Sequence, residues 1–236
     1  MNMNSMREIV MIVDDDASVL RSTARLLRAA DLNVETFDSA IAFLNRGDPE
    51  SPACLVLDVH MAGISGLELQ RELQKRERRM PIIFLTGQGD IPMSVQAMKA
   101  GATEFLTKPF REEDLINAVC HALEMDRLAR ADRARAAEIR TRYESLTKRE
   151  REVFAGVVMG MLNKQIAAEL GTTEKTIKFH RAHMMQKMNA SSVPGLVACA
   201  NALELNSPTS IKCQSVKPCS RVSSLLRLEG GPSKDS

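Results

Sequence analysis

Three carboxylates, a hydroxyl and an ammonium stand at comparable points in the first half of the chain, each at or just beyond the end of a short apolar run. Asp14 and Asp15 follow Ile9–Val13, Asp58 ends the run from Ala53, Thr86 follows Pro81–Leu85, and Lys108 closely follows Thr103–Leu106. If these runs are strands of one parallel sheet, all five groups gather at its carboxyl edge, where open α/β sheets carry their ligands. Carboxylates crowded in that way repel one another at low dielectric and need a counter-charge. Mg²⁺, which takes oxygen ligands and keeps some waters, suits the set, and Lys108 adds a second positive charge. The chemistry this fits is movement of a phosphoryl group onto Asp58, with metal and ammonium neutralising the phosphoryl oxygens while the carboxylate attacks. Singly, each residue has a plainer explanation: Asp14–Asp16 as a solvated helix start, Thr86 as a strand-end hydroxyl. Their coincidence at one edge favours the phospho-acceptor.

The elements that must position these groups are legible in order. Ile9–Val13 and Ala53–Leu57 are unbroken apolar runs, the pattern of strands buried on both faces. Helical periodicity follows the first in Val19, Leu20, Leu26 and Leu27. A short strand is expected over Asp31–Phe37, and a helix capped by Ser39 and stopped by Gly47 and Pro49. The helix after Asp58 starts near Gly66 and ends in the charged run 75–79. A fourth strand spans Pro81–Leu85. Asp90, with Pro92 in the first turn, predicts a helix up to Gly101. A fifth strand covers Thr103–Leu106, and a final helix opens near Glu112. Five strands alternating with five helices predict a doubly wound parallel sheet.

The balance of the chain bounds its class. Its 236 residues suffice for two modest domains, and 44% hydrophobic content suffices for their cores. There is no Trp and aromatics are 3%, so those cores must be aliphatic, helped by 14 Met. No apolar stretch follows Met1–Met6 and none is long enough to span a bilayer, so no secretory signal or membrane segment is expected. The five cysteines have no metal-ligand or disulfide spacing, which points to a soluble protein of a reducing compartment. Net charge is −6 over residues 1–124 and positive thereafter, so only the back half is suited to a polyanion.

Residues 7–124 resemble a response-regulator receiver domain. The matching pieces are Val13-Asp14-Asp15, Leu57-Asp58-Val59, Leu85-Thr86-Gly87, Ala100-Gly101-Ala102 and Thr107-Lys108-Pro109-Phe110, in family order and spacing. The resemblance implies a flavodoxin-like (βα)5 fold with sheet order 2-1-3-4-5. It implies Asp58 as phospho-acceptor, and Mg²⁺ held by Asp15, Asp58 and the backbone carbonyl of His60, with Asp14 acting through water. It also implies Lys108 on the phosphoryl group, Thr86 closing on it, Phe105 as the aromatic switch partner, and a cis Lys108–Pro109 bond. The family usually has Pro four residues after the acceptor. Ala62 stands there, so a looser loop and an altered phosphoryl lifetime are expected, and Asp16 is expected to point to solvent. A dehalogenase-type phosphatase also uses a strand-end Asp, but normally carries another Asp two residues on, where this chain has His60.

Residues 125–142 hold no Gly or Pro and read as a solvated helical linker, with Asp126 and Arg130 as a weak supporting pair. Leu128 and Ile139 are too few for a coiled-coil seam. Thr147 and Glu150 then form a capping-box pattern, opening a helix that stops around Gly160. Asn163–Leu170 predicts a short helix ended by Gly171. Thr172 or Thr173 caps a third helix over Glu174–Met188, and Ser191-Ser192 starts a fourth through Leu203. Two short helices about a Gly turn, the later one basic, form a helix-turn-helix pattern. In that later helix Ile177, Met184, Met185 and Met188 are candidates for packing. Lys175, Lys178, Arg181 and Lys187 supply charge that suits phosphates and guanine edges. His180 and His183 lack further metal ligands nearby, which favours backbone or phosphate contact.

Residues 143–206 resemble a LuxR/NarL-type helix-turn-helix domain through Leu146-Thr147-x-Arg149-Glu150, Asn163-Lys164-x-Ile166-Ala167, Leu170-Gly171 and Thr176-Ile177-Lys178-x-His180-Arg181. The resemblance implies Lys178, Phe179 and Ala182 facing base edges, Lys164, Thr176 and His183 near phosphates, and Arg181 among the DNA-binding residues. A sigma-factor region shares part of this pattern but would not normally follow a receiver. The tail 207–236 is expected to be disordered. Together the two halves resemble FixJ-type regulators: a cytoplasmic, non-enzymatic two-component response regulator in which a sensor histidine kinase phosphorylates Asp58 and so controls double-stranded DNA binding and transcription, with activation as the family's usual sign. A homodimer in the phosphorylated state and RNA polymerase are implied further partners. The alternative is a phosphorylation-independent DNA binder that uses the receiver as a dimerisation module.

Overall fold

A computed structural model describes residues 8–87 and 100–203. The helix expected from Asp90, as far as residue 99, and the tail 207–236 with Cys213 and Cys219 lie outside the described residues. The chain divides into two compact units, up to Ala134 and from Arg135 onward. The division falls within one long helix and inside the segment 125–142 expected as linker.

The first unit is a five-stranded sheet of β1 (Ile9–Val13), β2 (Asn33–Phe37), β3 (Ala53–Asp58), β4 (Ile82–Thr86) and β5 (Glu104–Thr107). The order is β2-β1-β3-β4-β5 and every pairing is parallel. Alternate residues of the central strands feed two cores. Val10, Ile12, Cys54, Val56, Ile83 and Leu85 pack on one face with Leu27 of α1 (Ala17–Ala29) and Leu115 and Val119 of α4 (Glu112–Glu144). Met11, Val13, Leu55, Leu57 and Phe84 pack on the other with Phe43 of α2 (Ala40–Asn45) and Leu69 and Leu73 of α3 (Gly66–Lys75). Two-sided burial explains why the strands read as unbroken apolar runs.

Local chemistry sets the helix starts. Asp16 is exposed but does not simply point into solvent: its carboxylate accepts from Ser18 and Val19 N–H at 2.7 and 3.2 Å and caps α1. Ser65 and Glu68 form a capping box at α3. Helix α3 must begin on glycine, because a β-carbon at Gly66 would overlap the carbonyl oxygen of Asp58. The strand expected from Asp31 begins at Asn33, because Asp31 adopts φ 64° and turns the chain first.

The view of Asp126 as half of a solvated pair is overturned. Its side chain is 1% exposed and accepts from the Ala53 N–H at 2.9 Å. Ile139, expected on a solvated spacer, is buried in the second unit's core. That unit holds α5 (Lys148–Val158), α6 (Asn163–Glu169), α7 (Glu174–Lys187) and α8 (Val193–Ala202), capped by Thr147, Thr173 and Ser192 at α5, α7 and α8. Val153, Phe154, Ile166, Ile177, Met184, Met188 and Leu196 form its centre. Tyr143 meets Phe154 edge-on at 5.2 Å between centroids. Buried Glu150 takes the Thr147 N–H at 2.8 Å and the Lys187 ammonium at 2.7 Å, fastening the end of α7 to the start of α5.

Candidate functional site

At the carboxyl edge of the sheet, β3 delivers Asp58 and the turn after β5 delivers Lys108. The Lys108 ammonium lies 2.6 Å from Asp58 Oδ1 and 2.9 Å from Asp14 Oδ2, so one cation bridges two strands. Asp14 Oδ1 also accepts from the Asp16 N–H at 2.9 Å. Burial pushes the Asp58 carboxyl above the ordinary carboxylate range, and the Asp14 charge adds to that. Hydrogen bonding and attraction from Lys108 and the His60 backbone N–H act against it. Burial works to lower the Lys108 ammonium, but Asp58 and Asp14 outweigh it and hold its pKa above the usual lysine value. Two carboxylates, Asp14 and Asp58, thus share the one Lys108 ammonium.

Asp15 is exposed and its Oδ2 accepts from the Ala62 N–H at 2.7 Å. Proline has no N–H and could not make this bond, whereas alanine ties the β3–α3 loop to the acidic pair. Thr86 is fully buried at the end of β4, and its carbonyl accepts the Lys108 backbone N–H at 2.6 Å. Phe105 is half-buried on β5, 6.3 Å from the Phe84 ring. The Lys108–Pro109 peptide is cis. Asp14, Asp15, Asp58, the His60 backbone and Lys108 thus belong to one edge. Among the described residues no three His, Cys, Asp or Glu side chains converge as a ready-made metal cluster. The donors at hand are all hard oxygens beside an incompletely neutralised carboxylate, which fits Mg²⁺ rather than a softer metal.

In the second unit α7 sorts into two sides. Ile177, Met184 and Met188 are buried. Lys175, Lys178, Phe179, Ala182 and His183 are exposed, at the three- and four-residue spacing of one helix face. Phe179 is 61% exposed, with its ring centroid 4.2 Å from that of His183, whose Nδ1 donates to the Phe179 carbonyl at 3.0 Å. Lys178 pairs loosely with Glu174 at 3.2 Å. Lys164 is exposed in the first turn of α6, and Thr176 is half-buried, its N–H donating to Thr173. Arg181 stands apart from this face. It is half-buried on the Ile177–Met184 side and donates from Nη1 to Asn163 Oδ1 at 2.9 Å, bracing α7 against α6.

Residues 10–120 match the response regulator receiver domain, and residues 144–200 match the LuxR family of bacterial regulatory proteins. The response regulator TodT of Pseudomonas putida is 45% identical over 203 residues, 86% of this chain and 89% of that protein. The chain belongs to the FixJ-type response regulators. FixJ itself from Rhizobium meliloti is 42% identical over 193 residues, covering 82% of this chain and 95% of that protein. The solved structure of the response regulator StyR matches with a TM-score of 0.74 at 46% identity, over 83% of this chain and 98% of that one. A receiver and a LuxR-type domain in one chain imply a histidine kinase and DNA as the partners of this response regulator. Among the described residues no helix is long and apolar enough to cross a membrane.

Sequence reasoning missed Gly66, Ala62, Asp126 and Asn163 as working residues. Gly66 had a signal, since a glycine opening the helix that follows the acceptor strand suggests close backbone approach. The other three act through long-range hydrogen bonds that spacing does not encode.

Proposed function

We propose that this response regulator is switched by phosphorylation of Asp58. The observation that carries the reading is the Lys108 ammonium between Asp58 and Asp14 at the carboxyl edge of the sheet. A carboxylate oxygen of Asp58 attacks phosphorus, the bond from phosphorus to the kinase's histidine nitrogen breaks, and that nitrogen keeps the electron pair. Lys108 holds a phosphoryl oxygen. Asp14, Asp15, Asp58 and the carbonyl of His60 would hold Mg²⁺, Asp14 acting through water. When bound, that ion supplies positive charge to offset the phosphoryl oxygens. Thr86 then closes on the new phosphoryl group and Phe105 turns inward.

The output is sequence-specific DNA binding. Lys178, Phe179 and Ala182 face base edges, while Lys164, Thr176 and His183 lie along the phosphates. Arg181 contributes chiefly by bracing α7. Phosphorylated protein acts as a cytoplasmic homodimer on a two-fold operator and activates transcription, with RNA polymerase as a further partner. The domains are a receiver over 7–124, a linker over 125–142, a DNA-binding domain over 143–206 and a tail over 207–236.

Gel-shift binding to the protein's own upstream DNA tests this reading. Protein treated with Mg²⁺ and a small acyl phosphate is compared with untreated protein and treated Asp58→Asn. Tighter binding by treated wild type alone supports the switch. Equal binding in all three, with mass spectrometry showing modified wild type, overturns it in favour of a phosphorylation-independent binder.

A further inference from the structure

Strand β3 ends on one buried carboxylate and begins on another. At its far end from Asp58, the Ala53 N–H donates to Asp126 Oδ2 at 2.9 Å across 73 positions of sequence. The reason is geometric. The Leu55 N–H, two residues on and so on the same side of the strand, bonds to the Pro81 carbonyl just ahead of β4. Pairing of β3 with β4 begins at Leu55, so no β4 residue stands opposite Ala53, and the Asp126 carboxylate takes its place. A buried backbone N–H without a partner is costly, so this acceptor matters.

A carboxylate this buried must itself be matched. Arg130 Nε donates to Oδ2 at 2.6 Å and Arg133 Nη2 to Oδ1 at 3.3 Å. Arg130 then reaches on: its Nη1 donates to the carbonyls of Pro49 and Glu50 at 3.0 and 3.3 Å. Two turns of α4 are therefore fastened to the loop that leads into β3. All of these groups lie in the unit that ends at Ala134.

We infer that Asp126, Arg130 and Arg133 form an ionic latch that makes residues 126–133 of α4 part of the receiver and fixes the start of the strand that carries Asp58. The latch is a regulatory contact, a part of the inference that rests on the phosphorylation reading above. The helix that runs on to Glu144 is held by the same strand whose other end receives the phosphoryl group. Loosening the latch frees that helix from the state of the receiver.

Amide hydrogen exchange on the full chain, without phosphorylation, tests the latch. Asp126→Asn keeps an acceptor but removes the charge, and Arg130→Gln leaves Asp126 in place. In both, exchange over residues 50–54 and 126–134 rises about tenfold or more while β1 and β4 stay protected. Unchanged exchange in both variants overturns the latch. If Asp126→Asn fails to fold, Arg130→Gln decides alone. The regulatory role is read from the ratio of DNA affinities with and without acyl phosphate, with Asp58 modification confirmed by mass. The ratio falls toward one in the variants, and a ratio equal to wild type overturns the role. If wild type itself shows no ratio, the phosphorylation reading fails, whereas the exchange result still decides the latch.

Discussion

Gly66 and Asp58 sit so close that any β-carbon at position 66 would overlap the Asp58 carbonyl oxygen, with the Phe84 ring and the Val59 backbone at 3.1 Å behind it. The first turn of α3 therefore sets where the acceptor strand ends.

That contact makes Gly66→Ala a destabilising change despite alanine's better helix propensity. Forcing an atom against backbone costs about 1–3 kcal/mol. Urea unfolding of the receiver should move to lower concentration, and acceptance of phosphoryl by Asp58 should slow. An unchanged midpoint would show that α3 can shift without cost.

Mg²⁺ should stabilise the receiver before any phosphorylation, because Asp58 is a buried carboxylate that Lys108 only partly offsets. An ion bound at tenfold above its dissociation constant adds about 1.4 kcal/mol. The thermal midpoint of wild type should rise with added Mg²⁺, and Asp15→Ala should lose most of the rise. The same rise in Asp15→Ala would place the ion elsewhere.

The second unit should be sensitive to acid through Glu150. Burial acts to raise its carboxyl, but Lys187 and Thr147 win and hold it below the ordinary value of 4.5. A depressed acid lends stability that is complete above its unfolded value and is lost as pH falls through the folded one. Glu150→Gln should lower stability near neutral pH by about 1–2 kcal/mol, with the deficit shrinking below pH 4.5. A deficit independent of pH would assign the effect to packing alone.

On DNA, Lys178→Ala and Arg181→Ala should fail differently. Lys178 is exposed and only loosely paired, so its loss should lower affinity and relax sequence preference by about 1–3 kcal/mol at the base pair it faces. Arg181 braces α7 on Asn163, so its loss should lower the thermal midpoint as well as affinity, and Asn163→Ala should copy it. Phe179→Ala should relax sequence preference by about 1–3 kcal/mol at one base step while leaving the salt slope alone. An unchanged sequence preference in Lys178→Ala would remove Lys178 from the base edges.

The strands and the gathering of Asp14, Asp58 and Lys108 were legible because two-sided burial leaves unbroken apolar runs, whereas the strand order was implied by the resemblance to receiver domains. Parallel winding then sends every strand end to one edge. Helix starts at Thr147, Thr173 and Ser192 were legible because capping is local chemistry. Asp126 was not: at a four-residue spacing from Arg130 it looks like any surface pair, and only the approach of Ala53 makes it buried. Ala62 shows the same limit in reverse. Losing a proline suggested freedom, yet the backbone N–H it restores finds Asp15. Arg181 carries the charge of a DNA contact, but its place on the Ile177–Met184 side commits it to the protein.

The single Tyr of the chain, with no Trp anywhere, is Tyr143, lodged edge-on against Phe154 with Arg151 5.5 Å over its ring. Tyrosine fluorescence from this protein therefore comes from the DNA-binding unit alone. Melting or rearrangement confined to the receiver leaves that tyrosine signal unchanged, and a tryptophan introduced there would report it, so the two halves can be followed separately in one intact chain.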